Sequence, residues 1–581
     1  MQEHALSPSC DEGSHPPHTP AGEEVVEALR ERSPSLHRED DGKPPKPLIA
    51  GDASRGPQTG ALTRLTAASP MPAQPPMPKV PVPLDELLKV AAEFSEGGRF
   101  SEAERILGHI LSAAPNEPMA LHQKGVLLFR MGHHEAAAEM IERSIGLAPD
   151  AIVFRRNLCP ILERLGRYDD ALRVGYQAFD RDPYDLQTLH NLAIAHYRKL
   201  ELDQSIACAR RALAVDPAAP GPHFQLAEAL LLRGEFAEGL KEYEWRFRIA
   251  GAAPLLPPNK RPQWDGAPLP GATLLLIADQ GFGDSIQFCR YIPWVCARCP
   301  RVVVVADPLM HPVIRQIHPA LEVVGHWDQC PPFDTYCPLS GLPRLHGTTL
   351  DTIPSKAPYL HADPARTAAW RARLQDLIQP GIRRVGMVWA GRPTHNNDLN
   401  RSMSLAAWAP IAALGGITLV SLQKGSEQNA IADYFGRAPL LNLGAAIADF
   451  ADTMAIIETL DLVVTVDTAV AHLAGAMGKP VWILLPYAPD WRWLLERSDS
   501  PWYPTARLFR QPSPGDWASV VCRVGEALSE PRLQAQRREK PCNQLCPDAP
   551  LLQGGRSAPD RASRAKRRKR IKTEISGGLH R

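Results

Sequence analysis

The sequence has little that is typical of membrane or secreted proteins. None of its 581 residues falls in an apolar run of about 20, the length that a membrane-spanning helix needs, so we expect no transmembrane segment. The amino terminus has neither a basic start nor an apolar core, so we expect no secretory signal. The 11 cysteines are odd in number and follow no framework spacing, which predicts reduced thiols in a cytoplasmic protein.

The sequence also lacks a strong net charge. A formal charge of +1 argues against a globally basic nucleic-acid-binding protein, and we expect no nucleic-acid partner. The balance conceals a basic carboxyl-terminal segment, residues 532–581, which contains the run Lys566–Arg570. We expect this segment to be a disordered, solvated tail, with peripheral contact to an anionic membrane as the alternative.

Proline, by contrast, is abundant, with 58 residues. Residues 1–82 are rich in Pro, Gly, Ser and charge. They cannot bury enough apolar surface to offset chain entropy, so we expect them to be disordered. A later translation start at Met71 or Met77 is an alternative that the mass of the native protein would test. Residues 250–270 are again rich in Pro and Gly and are expected to form a linker.

Between these segments the sequence repeats every 34 residues. The period is marked by Pro115, Pro149, Pro183 and Pro217. The residues twelve positions before each proline are small: Ala103, Ala137, Ala171 and Ser205. Small residues let two antiparallel helices approach closely, and proline ends the second helix because it lacks an N–H group. The pattern resembles the tetratricopeptide repeat, which implies an all-α solenoid of about five repeats over 83–249 with a groove for a protein or peptide.

After residue 270 the pattern changes to short β-rich runs that alternate with helices. TLLLIA and RVVVVAD are runs of this kind, and each precedes a helical segment. This alternation is typical of a parallel sheet. The sequence therefore predicts two α/β domains, 271–365 and 366–531.

The first motif that could carry chemistry is Asp279–Asp284, a Gly-rich turn between a strand and a helix. Gly281 and Gly283 permit a tight turn and a close approach of ligand to backbone. Asp284 falls in the first helical turn. It is either a helix cap or a carboxylate directed into a cleft as a general base.

The second and third motifs also follow strands. Asp467 ends a buried strand, and Thr468 opens a helix of small residues. His472 lies one turn into that helix and could face the same pocket; the alternative for His472 is a buried histidine whose hydrogen bonds are satisfied inside the protein. Helix starts of this kind favour phosphate oxygens. Two cations also follow strands: Arg401, on the loop after VWAG, and Lys424. They could bind a phosphorylated ligand. For the Arg401 loop, the alternative is a solvated surface loop without a ligand.

The Gly-x-Gly-Asp turn, the Asp-Thr-x-x-x-His turn and the Gly-Lys-Pro after it together resemble the heptosyltransferase-like glycosyltransferases of family 9. The resemblance covers about residues 271–530 and implies a GT-B fold, two Rossmann-like domains that face each other across a cleft. It implies that Asp284 is the base for the acceptor hydroxyl and that Asp467, Thr468 and His472 bind the donor's nucleotide diphosphate. Ala469 stands where these enzymes usually have glycine.

No Asp-x-Asp occurs from Trp264 onward, so we predict a metal-independent reaction. We expect a nucleotide sugar as co-substrate and no cofactor. The pair Cys296 and Cys299 lacks the matching second pair that a structural zinc site usually needs. Two alternatives stay open: a protein O-glycosyltransferase similar to the nucleocytoplasmic N-acetylglucosaminyl type, and a non-catalytic scaffold with a degenerate transferase domain.

Overall fold

The structure is a computed structural model that describes residues 82–249, 261–395 and 397–530. The expectations for residues 1–81, for most of the linker and for the basic tail lie outside the described residues, as do the two alternative start sites. No helix among the described residues is long and apolar enough to cross a membrane.

The amino-terminal described domain is a stack of antiparallel helix pairs that follow the 34-residue period. The helices are α1 Leu84–Glu96, α2 Phe100–Ala113, α3 Pro118–Arg130, α4 His134–Leu147, α5 Ile152–Arg164, α6 Tyr168–Phe179, α7 Leu186–Arg198, α8 Leu202–Val215, α9 Pro220–Arg233 and α10 Phe236–Glu242. A 3₁₀ turn, Tyr243–Arg248, ends the stack. Pro115 stands two residues after α2 ends, as a helix-stopping residue should.

Small residues lie where the helices cross, because there is no room for larger ones. Ala103, Ala137 and Ala171 are all 0% exposed. At Gly125 an added Cβ would lie 2.5 Å from Ile141 Cγ1, closer than atoms can approach. The repeat period of the sequence is therefore the period of the helix packing.

Two parallel sheets follow the solenoid. The first contains β1 Thr273–Ile277, β2 Arg301–Val305, β3 Glu322–Val324 and β4 Thr335–Pro338, in the order β3-β2-β1-β4. The second contains β5 Arg383–Val388, β6 Ile417–Ser421, β7 Leu440–Asn442, β8 Leu462–Val466, β9 Val481–Leu485 and β10 Ala506–Arg510, in the order β10-β9-β8-β5-β6-β7. The strand pairings are parallel, β1 with β2 and β4, and β5 with β6 and β8.

Helices and irregular loops connect the strands and cover both sheets. In chain order the helices are α11 Phe282–Phe288, α12 Ile292–Cys296, α13 His311–Ile314, α14 Leu342–His346, α15 Pro364–Leu377, α16 Asp398–Arg401, α17 Ala409–Ala412, α18 Phe450–Thr459, α19 Ala469–Ala476 and α20 Trp517–Ser529. Strands buried on both faces read as continuous apolar runs, as Leu274 and Leu276 show at 0% exposure. The predicted fold class, helical repeats followed by parallel-sheet α/β domains, is confirmed.

The last repeats share one hydrophobic cluster with parts of both α/β domains. Phe236 of α10 is 2% exposed and packs against Trp491 and Trp502 of the second α/β domain, with ring centroids 5.8 and 6.2 Å apart. Aromatic rings thus bury the contact between the last repeat and the second α/β domain. The last repeats are therefore fixed against the α/β domains.

Candidate functional site

Ligands in open α/β sheets bind where the strand order reverses, at the carboxyl ends of the strands. In this chain, β1 lies between β2 and β4, and β5 lies between β6 and β8. The loops at residues 279–284, 389–402 and 467–472 leave the carboxyl ends of β1, β5 and β8. These three loops carry the candidate site residues other than Lys424.

Asp284 is the third residue of α11 and its carboxylate is bound to the other α/β domain. Its Oδ1 accepts a hydrogen bond from Nη2 of Arg492. The side chain is 25% exposed, so it is open to solvent as well. The structure therefore shows an interdomain ion pair rather than the simple helix cap that was the alternative for Asp284.

Gln280 is the second neighbour of Asp284. With its amide oriented to satisfy both ends, its nitrogen donates to Asp284 Oδ1 at 3.0 Å. Its oxygen accepts from the Tyr243 hydroxyl at 3.0 Å and from Arg246 Nε at 3.1 Å. Tyr243 and Arg246 belong to the turn that ends the solenoid. The repeat domain thus supports the carboxylate through one glutamine.

The glycines of the first motif allow α11 to lie directly against α19. Gly281 is the N-cap of α11. At Gly283 an added Cβ would lie 2.7 Å from Cδ2 of the His472 ring. Gly283 is therefore required by a contact between the two α/β domains. That contact brings the first and second motifs together.

His472 is a buried, neutral imidazole with two polar neighbours. Its Nδ1 lies 2.9 Å from the Tyr503 hydroxyl, and its Nε2 lies 3.7 Å from Asp467 Oδ1. Burial, and next the positive charge of Arg492, lower the pKa of His472 to about 3. The ring therefore carries no charge at neutral pH. Its Nδ1 has a hydrogen-bond partner in Tyr503, and its Nε2 faces Asp467.

Asp467 and Thr468 lie at the end of β8 and the start of α19. Burial, and next the negative charge of Asp490, raise the pKa of the Asp467 carboxyl. The Thr468 hydroxyl lies 3.0 Å from the Thr465 hydroxyl rather than over the helix start. The first backbone N–H groups of α19 have no acceptor within their own helix, because a helix leaves its first N–H groups unpaired.

Arg401 lies beside this helix start. Its Nη1 donates to the main-chain oxygen of Asp467 at 3.3 Å, and its Nε lies 3.2 Å from Asp398 Oδ1. Gly391 leaves the space that the guanidinium fills, since an added Cβ there would lie 2.4 Å from Arg401 Nη2. The structure therefore places a cation next to Asp467 and Thr468.

Lys424 is directed elsewhere. Its ammonium donates to the main-chain oxygens of Gly444 and Ile447 at 3.1 and 2.6 Å. It follows β6, which β5 separates from β8. The structure thus brings Gly281, Gly283, Asp284, Arg401, Asp467, Thr468 and His472 together and turns Lys424 toward the loop after β7.

Sequence reasoning gave no catalytic role to the segment that joins the two halves of this site. Asp490 and Arg492 stand on the loop that leaves the carboxyl end of β9, in the sequence DWRW. Arg492 is 5% exposed and its Nη1 lies 2.9 Å from Asp490 Oδ1. The signal in the sequence was a charged pair that alternates with two tryptophans shortly after a strand, a position where ligands bind in α/β sheets.

The solenoid also borders the crevice. The Tyr197 hydroxyl donates to the main-chain oxygen of Pro489 at 3.4 Å, and Arg198 Nη1 donates to Asn397 Oδ1 at 3.3 Å. Glu228 of α9 is half-buried between the solenoid and the charges of Asp490 and Arg492, and burial raises its pKa to about 7. Among the described residues, no cluster of three or more His, Cys, Asp or Glu side chains is suited to a metal ion.

Two family models match the chain. The model described as Glycosyltransferase family 9 (heptosyltransferase) matches residues 436–489, and a tetratricopeptide repeat model matches residues 120–151. The chain thus contains a segment that matches the tetratricopeptide repeat model and, after it, a segment that matches the family 9 glycosyltransferase model. Both resemblances drawn from the sequence are thereby confirmed. The family 9 match includes Asp467, Thr468 and His472 and ends one residue before Asp490.

The chain is also similar to several known proteins. Protein FlbA of Caulobacter vibrioides is 27% identical over 472 residues, which are 74% of this chain and 75% of FlbA. The solved structure of MamA from Desulfovibrio magneticus RS-1 is 19% identical and covers 29% of this chain and 97% of that chain, with a TM-score of 0.26. PilW, described as a type IV pilus biogenesis factor, is 20% identical and covers 29% of this chain and 80% of that chain, with a TM-score of 0.28.

Proposed function

We propose that the protein is a glycosyltransferase of GT-B type that moves a sugar from a nucleoside diphosphate donor to a hydroxyl group. The observation that carries this proposal is the direct contact of Gly283 with His472. This contact brings the Asp284 turn of one α/β domain to the Asp467–Thr468 helix start of the other. A carboxylate and an anion-binding helix start on facing domains suit transfer from a diphosphate.

In the proposed reaction, Asp284 accepts the proton of the acceptor hydroxyl as that oxygen attacks the anomeric carbon. The bond from the anomeric carbon to the diphosphate oxygen breaks, and the nucleoside diphosphate leaves with the electron pair. Arg401 and the N–H groups that open α19 stabilise its growing charge. The Tyr503 hydroxyl lies 2.9 Å from His472 Nδ1. We assign the hydroxyl as the donor in this pair, which puts the ring proton on Nε2, on the Asp467 side.

Replacing Asp284 with asparagine tests the assignment of the base. Asparagine keeps the size of the side chain but cannot accept the proton, so transfer should fall by about 10²–10⁴-fold. A thermal-shift screen against nucleotide sugars should still show a rise in melting temperature for the donor, because donor binding does not need the base. Unchanged turnover in Asp284→Asn would remove Asp284 from the mechanism.

The transfer assay and the thermal-shift screen also test the metal independence of the reaction and the scaffold alternative. Activity should persist in a chelator, since we propose that Arg401 and the helix start replace a metal ion. Loss of activity on chelation, restored by a divalent ion, would contradict that. Absence of any shift across the panel of nucleotide sugars would favour the scaffold alternative. A cytoplasmic location is part of the proposal, because nucleotide sugars are its substrates.

One set of contacts favours a protein acceptor. Tyr197, Arg198 and Tyr243 of the solenoid contact Pro489, Asn397 and Gln280 around the crevice. A polypeptide held on the repeats would therefore lie next to Asp284. Mass spectrometry of proteins from cells that express the wild type or Asp284→Asn should show a glycan that depends on the carboxylate. A product found on carbohydrate or lipid alone would exclude the protein acceptor.

A further inference from the structure

The observation that the proposed reaction does not use is the buried guanidinium of Arg492. It lies beyond the family 9 match, on the 3₁₀ turn Trp491–Trp493. A guanidinium that is 5% exposed needs compensation by opposite charge and hydrogen bonds, because burial removes the charge from water. Two carboxylates, one from each α/β domain, supply this compensation.

Arg492 is held by Asp490 and Trp491 of its own domain and by one ring, Phe288, of the first α/β domain. Asp490 accepts from the main-chain nitrogen of Arg492 at 2.9 Å, and Nη1 lies 2.9 Å from each oxygen of the same carboxylate. The guanidinium carbon lies 4.6 Å from the centre of the Trp491 ring and 5.3 Å from that of Phe288. With Nη1 fixed on Asp490, the planar group presents Nη2 in one direction, toward Asp284.

The two carboxylate oxygens of Asp284 have different surroundings. Arg492 and Gln280 both bind Oδ1. Oδ2 lies on the side of Gly281, where an added Cβ would be 3.3 Å from it. A carboxylate held through one oxygen keeps the other oriented for a proton, as a positioned general base requires.

We propose that Arg492 is a positioning residue for the reaction: it fixes the Asp284 carboxylate through Oδ1 so that Oδ2 faces the acceptor hydroxyl. This inference rests on the proposed function, because it takes Asp284 as the base. It also accounts for a charged side chain within an aromatic contact between the two α/β domains. Arg492 itself takes no proton and contacts the acceptor only through Asp284.

The test compares Arg492→Lys and Arg492→Met in a transfer assay with the nucleotide sugar that stabilises the wild type. Lysine keeps the charge but cannot bridge two carboxylates with a planar fork. We expect kcat to fall about 10²-fold in Arg492→Met and less in Arg492→Lys, with the donor KM unchanged, because a misplaced base loses rate rather than donor affinity. Equal kcat in all three proteins would overturn the proposal.

A double-mutant cycle with Asp284→Asn separates positioning from stability. If Arg492 acts through Asp284, Arg492→Lys should change the residual rate of Asp284→Asn by no more than about twofold. The matched control is Arg290→Lys. Arg290 is also buried and joins the two domains through the main-chain oxygen of Trp502 at 2.9 Å. It also donates to the main-chain oxygen of Pro354 in its own domain at 3.3 Å. Arg290→Lys should change the transfer rate by the same factor in the wild type and in Asp284→Asn.

The outcomes distinguish the two proposals. A full additional loss on Arg492→Lys in the Asp284→Asn background would make Arg492 a structural link and overturn the inference alone. An inactive wild type with no response to any nucleotide sugar would overturn the proposed function, and the inference with it. The melting temperature of Arg492→Lys will establish whether this variant is folded. If Arg492→Met does not fold, Arg492→Lys alone tests whether Arg492 positions Asp284.

Discussion

At the scale of residues, the candidate site depends on side chains whose pKa, and therefore charge, is set by burial in the protein interior. His472 is the clearest case. It is 5% exposed, its Nδ1 is engaged by Tyr503, and Gly283 lies against its ring. A neutral imidazole can donate from Nε2 without adding a positive charge to a crevice that already contains Arg401 and Arg492.

The lowered pKa of His472 predicts a pH dependence of stability. In the unfolded chain the imidazole binds a proton below about pH 6.5, whereas in the folded protein it does so only below about pH 3. Between these values the unfolded state binds more protons, so lowering the pH destabilises the fold, by at most about 1.4 kcal/mol per pH unit for this group. His472→Gln removes this contribution.

Melting temperatures measured from pH 7 to pH 5 provide the check. The temperature should fall less steeply in His472→Gln than in the wild type, whatever their difference at pH 7. Buried His122 and half-buried His190 of the solenoid act in the same direction, since loss of water around each ring lowers both pKa values to about 4. The slope should therefore be reduced rather than abolished, and identical slopes would contradict the neutral buried state.

At the scale of elements, the turn inside each helix pair uses one backbone conformation. Gly98, Gly132, Gly166 and Gly234 have φ of 75, 87, 73 and 93°, and they follow the 34-residue period. Leu200 occupies the remaining position of the series with φ of 61°. The left-handed conformation costs a residue with a side chain about 1–2 kcal/mol, which explains the glycines.

Gly132→Ala isolates this backbone effect. An added Cβ at Gly132 meets no atom within 4 Å, so only the φ of 87° opposes it. We expect a loss of about 1 kcal/mol in unfolding free energy. Gly108→Ala is the matched control. It also adds a Cβ into open space, but in the interior of α2, where alanine should stabilise by about 1 kcal/mol. Urea unfolding measures both, and equal effects would contradict the argument.

At the scale of the whole molecule, the repeats and the α/β domains are a single structural unit around the crevice. Aromatic packing of Phe236 on Trp491 and Trp502 continues into the chain of hydrogen bonds from Tyr243 through Gln280 to Asp284. The solenoid therefore supports the candidate base as well as offering a surface for a partner.

Phe236→Ala tests this coupling. The change removes a buried ring at the contact and should cost about 3–5 kcal/mol. We expect calorimetry to resolve separate transitions for the solenoid and the α/β domains, and turnover to fall because Tyr243 shifts. Phe154→Ala is the control, with the same 2% exposure in a core made of solenoid residues alone. It should lower stability while turnover at lower temperature persists. Equal loss of turnover in both variants would contradict the coupling.

The sequence alone determined the parts of this protein that depend on local pattern. The 34-residue period specified the helix pairs, and short β-rich runs that alternate with helical segments specified the strands of the parallel sheets. Gly281, Gly283, Asp284 and Asp467 were recognisable because turns between a strand and a helix need particular residues at particular positions.

Only the tertiary structure decided how these parts meet. Asp284 and Arg492 are 208 residues apart and no period relates them. Gln280 is bound to Tyr243 of the solenoid, and Lys424 turns to main-chain oxygens after β7 although it too follows a strand. Side-chain partners of this kind depend on packing between distant elements, and spacing along the chain carries no information about which of several charged groups the packing brings together.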